Sequence, residues 1–187
     1  MSLMPITALI AELAPRFGRG AVLEAVEALR RRSLLERTEV GAAAALSLQS
    51  VVLEYVTNRQ VQVMVEAIDR RQPALLVDQP VIKAQGKDYV RQTQERLIGE
   101  PVLRQLEATL GRRGVEQHLV SLLDTWRAQP RSEHRFGPGN VVDLLRLQRR
   151  ELRGVNLAGL AIRQAYFDGV ERRTRHLLAA TLPRRSR

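Results

Sequence analysis

Between residues 149 and 170 apolar side chains recur at a spacing that neither a helix nor a flat strand can place on one face. Leu152, Leu157, Ile162 and Phe167 stand five apart, and Val155, Leu160, Ala165 and Val170 make a second five-residue series between them. A helix returns to one face about every 3.6 residues and a strand every two. A right-handed quadrilateral β-helix fits instead, because each five-residue side sends its central residue and the one two before it inward. Four sides make about one coil. One coil cannot bury its own core, since repeat folds ordinarily need at least three stacked units.

The second constraint is the stretch from Ser50 to about Arg71, which reads as a single helix. Val52, Val56, Val63 and Ala67 lie near one face and Val61, Met64, Val65 and Ile68 on an adjoining one. That apolar sector is wide and predicts cover from other elements. Ser50 can cap its start, and Glu66 with Arg70 at i,i+4 adds roughly 0.2–0.5 kcal/mol.

Ahead of this helix, Ser2 can cap a short helix carrying Leu3, Ile6, Leu9, Ile10 and Leu13, stopped by Pro15 and Gly18. A second helix starts near Gly20, with Val22, Val26 and Leu29 as its stripe. Arg30, Arg31 and Arg32 sit at its C-terminal end, where cations complement the helix dipole. Leu34 to Arg37, a polar turn through Gly41, and Ala44 to Leu48 follow. Leu46 and Leu48 alternate with Ser47 as in a half-buried strand. Two helices, a small hairpin and another helix is the order of a winged helix, here incomplete, over residues 1–71. Ala21 to Arg32 is then a candidate recognition helix. Glu24 and Glu27 would face phosphates on it, so a structural winged helix is the preferred reading, and Arg30, Arg31 and Arg32 are the nucleic-acid contacts of the alternative one.

Residues 72–148 read as a helical connector. A loop around Pro73 precedes a long helix opened by Pro80, in which Val81, Ala84, Tyr89, Thr93 and Leu97 align roughly. Lys83, Lys87 and Tyr89 make no convincing site, and Tyr89 is expected at the rim of the core. Gly99 and Pro101 interrupt, and a renewed helix runs to Leu110. Gly111 and Gly114 turn the chain into a helix from Val115 to about Ala128, using Leu119, Leu122, Leu123 and Trp126. Pro130 to Gly139 is expected as a loop, with Asn140 capping the brief helix that follows.

Composition narrows the function classes. The 187 residues are 44% hydrophobic but only 4% aromatic, which favours a core of Leu, Val and Ala in helices, so the fold class is mainly α with small β elements. There is no Cys, and His118, His134 and His176 are scattered, so no metal or disulfide framework is predicted. The opening residues lack a secretory pattern and no stretch is long and apolar enough to span a bilayer, so a cytoplasmic protein without membrane partners is expected. Of the formal charge of +10, half comes from residues 171–187, a basic tail with six Arg against Glu171 alone. No H-E-x-x-H, G-x-S-x-G or P-loop is present, so no enzyme, no cofactor and no small-molecule substrate is predicted.

Five stretches, LRRRSLLER, LQSVVLEYVTNR, KAQGKDYVRQTQERLI, PGNVVDLL and LRGVNLAGLAIRQAYFDGV, resemble in this order the region that follows the nucleotide-binding module of bacterial STAND-class, NB-ARC-like signalling ATPases. In that class the C-terminal part is often pentapeptide repeats or a WD-repeat propeller. The resemblance spans roughly Ser2 to Val170. It implies a winged helix that takes part in an autoinhibitory switch, a helical connector, and the start of pentapeptide repeats that sense a ligand or partner. No nucleotide-contacting residue carries over. The family's winged helix would have a further helix ahead of Ser2, and its pentads would continue beyond Glu171, so the resemblance implies a fragment of a longer protein. Apolar faces left open by truncation predict self-association, through the N-terminal helix face or the open end of the coil. A non-enzymatic regulatory and protein-interaction module is the leading expectation. A DNA-binding winged-helix regulator is the alternative.

Overall fold

The computed structural model describes residues 4–40, 43–83 and 88–167. Contacts divide the chain into two compact units, Met1–Val56 and Thr57–Arg187.

The first unit, the head, is two helices against a small antiparallel sheet. Strand β1 (Met4–Pro5) leads into helix α1 (Ile6–Phe17), then α2 (Arg19–Arg31), β2 (Leu35–Val40) and β3 (Ala43–Leu48). The sheet order is β1-β3-β2, with Met4 opposite Leu46 and Leu35 opposite Leu48. Pro15 does not stop α1. It lies inside the helix, and the break falls at Gly18, whose φ of +79° suits a residue without Cβ. Helix α2 ends in a Schellman turn: Ser33 takes the left-handed φ of +57°, its N–H bonds to the Arg30 carbonyl, and Leu34 N–H reaches Leu29. β1 was not foreseen. Two residues are too few for a period to register, and the pairing exists only because β3 offers an edge. Ser47, predicted to face outward, is only 4% exposed.

Helix α3 (Ser50–Asp69) begins in the head and continues into the second unit. It ends two residues before the predicted Arg71, in a second Schellman turn with Arg71 at φ +52° and Gln72 N–H bonded to the Ala67 carbonyl. The Glu66–Arg70 pair forms at 2.9 Å. Of its predicted apolar sector Val61, Met64, Ala67 and Ile68 are buried, Val52, Val63 and Val65 are half-buried, and Val56 is exposed, as are Val51, Leu53 and Tyr55 outside that sector. The predicted cover is therefore met from Val61 onward and is thinnest in the first turns.

The second unit, the body, is helical. A 3₁₀ turn (Pro73–Leu76) precedes α4 (Asp88–Gln94), which runs through a π-helical turn (Glu95–Gly99) into α5 (Glu100–Arg127). The predicted helix from Pro80 is absent over residues 81–83, which are irregular, and Ala84 and Lys87 lie outside the described residues. Tyr89, Thr93 and Leu97 are exposed, so that stripe is not the buried one; Arg91 and Ile98 face inward instead. Gly111 breaks α5 at φ +69°, ψ +161°, where a turn was predicted, and Val115, Leu119, Leu122, Leu123 and Trp126 are all buried beyond it. Pro130 to Gly139 is not a loop. It holds α6 (Arg131–His134) and the first turn of α7 (Gly137–Arg149), with Pro138 near the N-terminus where its missing N–H costs nothing. Two glycines there allow close approach: a Cβ on Gly137 would enter the Trp126 ring, and one on Gly139 would collide with the Arg163 carbonyl.

After α7 the chain turns at Arg150 (φ +65°) and lays a coil onto the body. No strand is assigned to it among the described residues. The five-residue rhythm is nevertheless physical. Positive φ recurs at Gly154, Gly159 and Gln164, and N–H bonds from Val155 to Leu152 and from Leu160 to Leu157 close turns of type II character. Leu152, Leu157, Leu160 and Ile162 are at most 2% exposed, with Val155, Ala165 and Phe167 packed against the same core as α5 and α7. Val170 and the basic tail lie outside the described residues.

Candidate functional site

Two features stand out, one in each unit. The head carries an apolar groove of about 660 Å³. Leu9, Leu13 and Phe17 of α1 form one wall, and Val22, Val26 and Leu29 of α2 the other. Leu35, Leu46 and Leu48 of the sheet complete it, with Ser47 as its polar member. Despite its apolar stripe, α1 buries no residue, and Phe17 at its end is 60% exposed.

The body carries a polar clasp around α7 that holds the coil and the Pro73–Gln79 segment. The Asn140 side chain accepts a hydrogen bond from Val81 N–H at 2.8 Å and donates to the carbonyls of Leu76 and Gln79 at 2.8 and 2.9 Å. This corrects its predicted role as a helix cap: α7 starts earlier, at Gly137, and no side chain caps it. His134, fully buried, bridges α6 to the coil. Its Nδ1 accepts from Ala161 N–H at 3.0 Å and its Nε2 lies 3.2 Å from the Gln129 carbonyl, the arrangement of a neutral ring protonated on Nε2. Arg127 donates to the carbonyls of Asn156 and Ala158, while Arg112 and Gln148 exchange bonds with each other's carbonyls at 2.7 and 2.9 Å.

The charged part of the clasp converges on Tyr166. Asp143 Oδ1 accepts its backbone N–H at 3.0 Å, and the guanidinium groups of Arg91 and Arg146 lie 3.9 and 5.1 Å from its ring centroid. Both arginines pair with Glu95, Arg91 at 2.8 Å. Burial pushes the Asp143 carboxyl up from 3.8 to about 7; the Tyr166 N–H and the Arg146 and Arg91 charges oppose this, and Glu95 adds to it. For Arg91 burial acts to lower the pKa, but the hydrogen bond and charge of Glu95, with Tyr166 and Asp88, raise it above its ordinary value.

Of the residues singled out for nucleic acid, Arg30 is held by Glu27 at 3.1 Å on the exposed side of α2, and Arg31 and Arg32 are exposed at its end. The head as a whole has six Arg and six Glu and no Lys or Asp, so its formal charge is zero and all of the +10 falls on Thr57–Arg187. Among the described residues no cluster of His, Asp and Glu could hold a metal ion, and no helix is long and apolar enough to cross a membrane.

The chain is 30% identical over 195 residues to an uncharacterized WD repeat-containing protein of Nostoc sp., in an alignment that covers 86% of this chain and 15% of the relative. The chain thus spans about 15% of the length of that relative. No family model and no solved structure matches.

Proposed function

We propose that this chain is a non-enzymatic regulatory and protein-interaction module, a segment of a STAND-type signalling ATPase: a winged helix, a helical connector and the first coil of a pentapeptide-repeat β-helix. The observation that carries the reading is the clasp around α7, which ties the five-residue coil to a helical body through backbone groups at Ala161 and Tyr166. A coil fixed at one end to a helical connector is positioned to transmit force or strain between a repeat array and whatever the connector holds. The hairpin-bearing head fits the winged helix of that arrangement, with β1 completing a three-stranded sheet. The long relative, in which the matching region occupies only 15%, supports a place inside a larger protein. In this reading the body works by holding surfaces in register, and its polar residues serve structure rather than chemistry.

Translation of the adjoining genomic sequence in all frames tests this. A P-loop ATPase upstream or further pentads downstream is the expected result, and finding neither refutes it. The DNA-binding alternative places Arg30, Arg31 and Arg32 on phosphates and draws on the basic tail. It requires salt-dependent binding whose slope changes by about −0.9 for each phosphate contact. Fluorescence anisotropy on duplex DNA at two salt concentrations, with and without residues 171–187, separates the two readings.

A further inference from the structure

The coil is not held evenly along its length. Leu152, Leu157, Leu160 and Ile162 are at most 2% exposed, and Ala161 N–H donates to His134 Nδ1 at 3.0 Å. From Gln164 to Phe167, by contrast, every residue is half-buried. Gln164 takes a left-handed φ of +58° without being Gly, a conformation that the surrounding contacts must enforce, and its Oε1 is buried with no hydrogen-bond partner among the described residues. A strained, partly buried segment opens ahead of the rest of a fold. Beneath it lies the face of α7 that carries Gly139, Asp143 and Arg146 at helical spacing, with Gly139 against the Arg163 carbonyl. The Asp143 carboxyl, 1% exposed, accepts Tyr166 N–H through Oδ1, and its Oδ2 has no hydrogen-bond partner among the described residues.

We propose that residues 164–167 are a pH-sensitive latch: they close over α7 while the Asp143 carboxyl is protonated, and its ionisation loosens them while the coil up to Ile162 stays docked. The inference concerns the body alone and holds whether or not the module reading does. The charged groups that face Asp143 set the direction. Arg146, on the same helix with Nε 3.8 Å from Oδ1, is engaged by Glu95, and Arg91 on α4 is engaged by Glu95 and Asp88. Glu95, on the π-helical turn, opposes a second negative charge. From the coil, Tyr166 contributes its N–H and, beside the two guanidinium groups, its ring. A carboxylate formed in the closed site thus meets cations already committed to another carboxylate, and it gains water only when the latch lifts. Burial raises the closed carboxyl to about 7 against an ordinary 3.8, so between those values the closed form keeps a proton that the open form has lost. The opening equilibrium therefore rises about tenfold per pH unit from about pH 4 to 7, roughly 10³ in all, and is level on either side.

Amide hydrogen exchange by NMR on the full chain tests this, read as protection factors that remove the intrinsic pH dependence of exchange. Tyr166 N–H should lose protection about tenfold per pH unit from about pH 5 to 7 and no further up to about pH 8. Low urea should leave its value unchanged, because lifting the latch exposes little surface. Leu145, buried in α7, should stay better protected than Tyr166 at every pH and respond to urea, which separates opening of the latch from unfolding of the body. Asp143→Asn keeps an acceptor for Tyr166 N–H but cannot ionise, so it should hold the protection at its acid value across the range. Glu95→Gln frees Arg91 and Arg146 to stabilise the carboxylate, and the levelling-off should move to lower pH. A Tyr166 protection factor that is independent of pH, that equals that of Leu145, or that keeps its slope in Asp143→Asn overturns the proposal, as does a levelling-off that Glu95→Gln leaves in place or raises. None of these outcomes bears on the genomic test of the module, so the two can fail separately.

Discussion

Replacing Asp143 by Asn isolates the most strongly shifted carboxyl among the described residues. The carboxyl is 1% exposed, its Oδ2 has no hydrogen-bond partner among the described residues, and Arg146 Nε approaches Oδ1 only to 3.8 Å. Burial holds it protonated to about pH 7, against 3.8 for the ordinary side chain. Between those values the native state keeps a proton that the unfolded chain has released, so stability falls as pH rises from about 4 to 7 and is level on either side. At about 1.4 kcal/mol per pH unit the full loss is about 4 kcal/mol. Asn cannot ionise, yet its Oδ1 can still accept the Tyr166 N–H, and Arg91 and Arg146 keep Glu95. The variant should therefore match the wild type near pH 4 and exceed it by up to about 4 kcal/mol at pH 8. Urea unfolding followed by fluorescence of the single, buried Trp126 reports on the body where Asp143 lies. Taking the difference between the two proteins at each pH cancels the other titrating groups. A difference that is flat, or that favours wild type increasingly toward pH 8, refutes the argument.

Asn140→Ala removes a side chain that satisfies Val81 N–H and two carbonyls in a buried setting, and should cost about 2–4 kcal/mol in the same unfolding assay. Gly139→Ala drives a Cβ into the Arg163 backbone and should lower stability by more than about 2 kcal/mol, whereas Gly111→Ala, with open space around it but at φ +69°, ψ +161°, a region essentially confined to glycine, should cost about 1–3 kcal/mol of backbone strain alone. An alanine scan of residues 151–167 should oscillate with a period of five, with losses of about 2–5 kcal/mol at Leu152, Leu157 and Ile162 and near zero at exposed Arg153 and Arg163. Losses spaced at three and four residues would mean a helical segment instead.

The coil was legible because its signal is both periodic and local. Five-residue spacing of apolar residues coincides with Gly154 and Gly159 at the turn positions, and Gln164 takes the same left-handed geometry without being Gly. The order of helices and hairpin in the head was legible for the same reason. What misled was local punctuation read without its surroundings. Pro138 and the glycines at 137 and 139 look like a loop, but they are there because α7 must approach Trp126 and the coil backbone more closely than a Cβ permits. The clasp shows a different limit. Arg91 with Glu95 and Asp143 with Arg146 are readable as ordinary i,i+4 and i,i+3 pairs, whereas their meeting at Tyr166 links segments about fifty residues apart. His134, set aside as isolated, gives no sequence sign that Ala161 will reach it. The apolar stripe of α1 was visible; that Ile6, Leu9, Ile10 and Leu13 end only half-buried was not.

These observations assign unequal roles to the two units in the energetics of the chain. The body closes one continuous core that runs from Val61 to Ile162 and takes the coil into it, so α5 and α7 stabilise the coil. Among its described residues the head has few fully buried apolar side chains and an open groove, and units of about this size are marginal even with a closed core. A ligand that filled the groove would bind the folded head and not the unfolded one, so its binding free energy would add directly to the head's stability. Folding of the head would thereby be coupled to occupancy of the groove, whereas the core of the body is closed by its own residues.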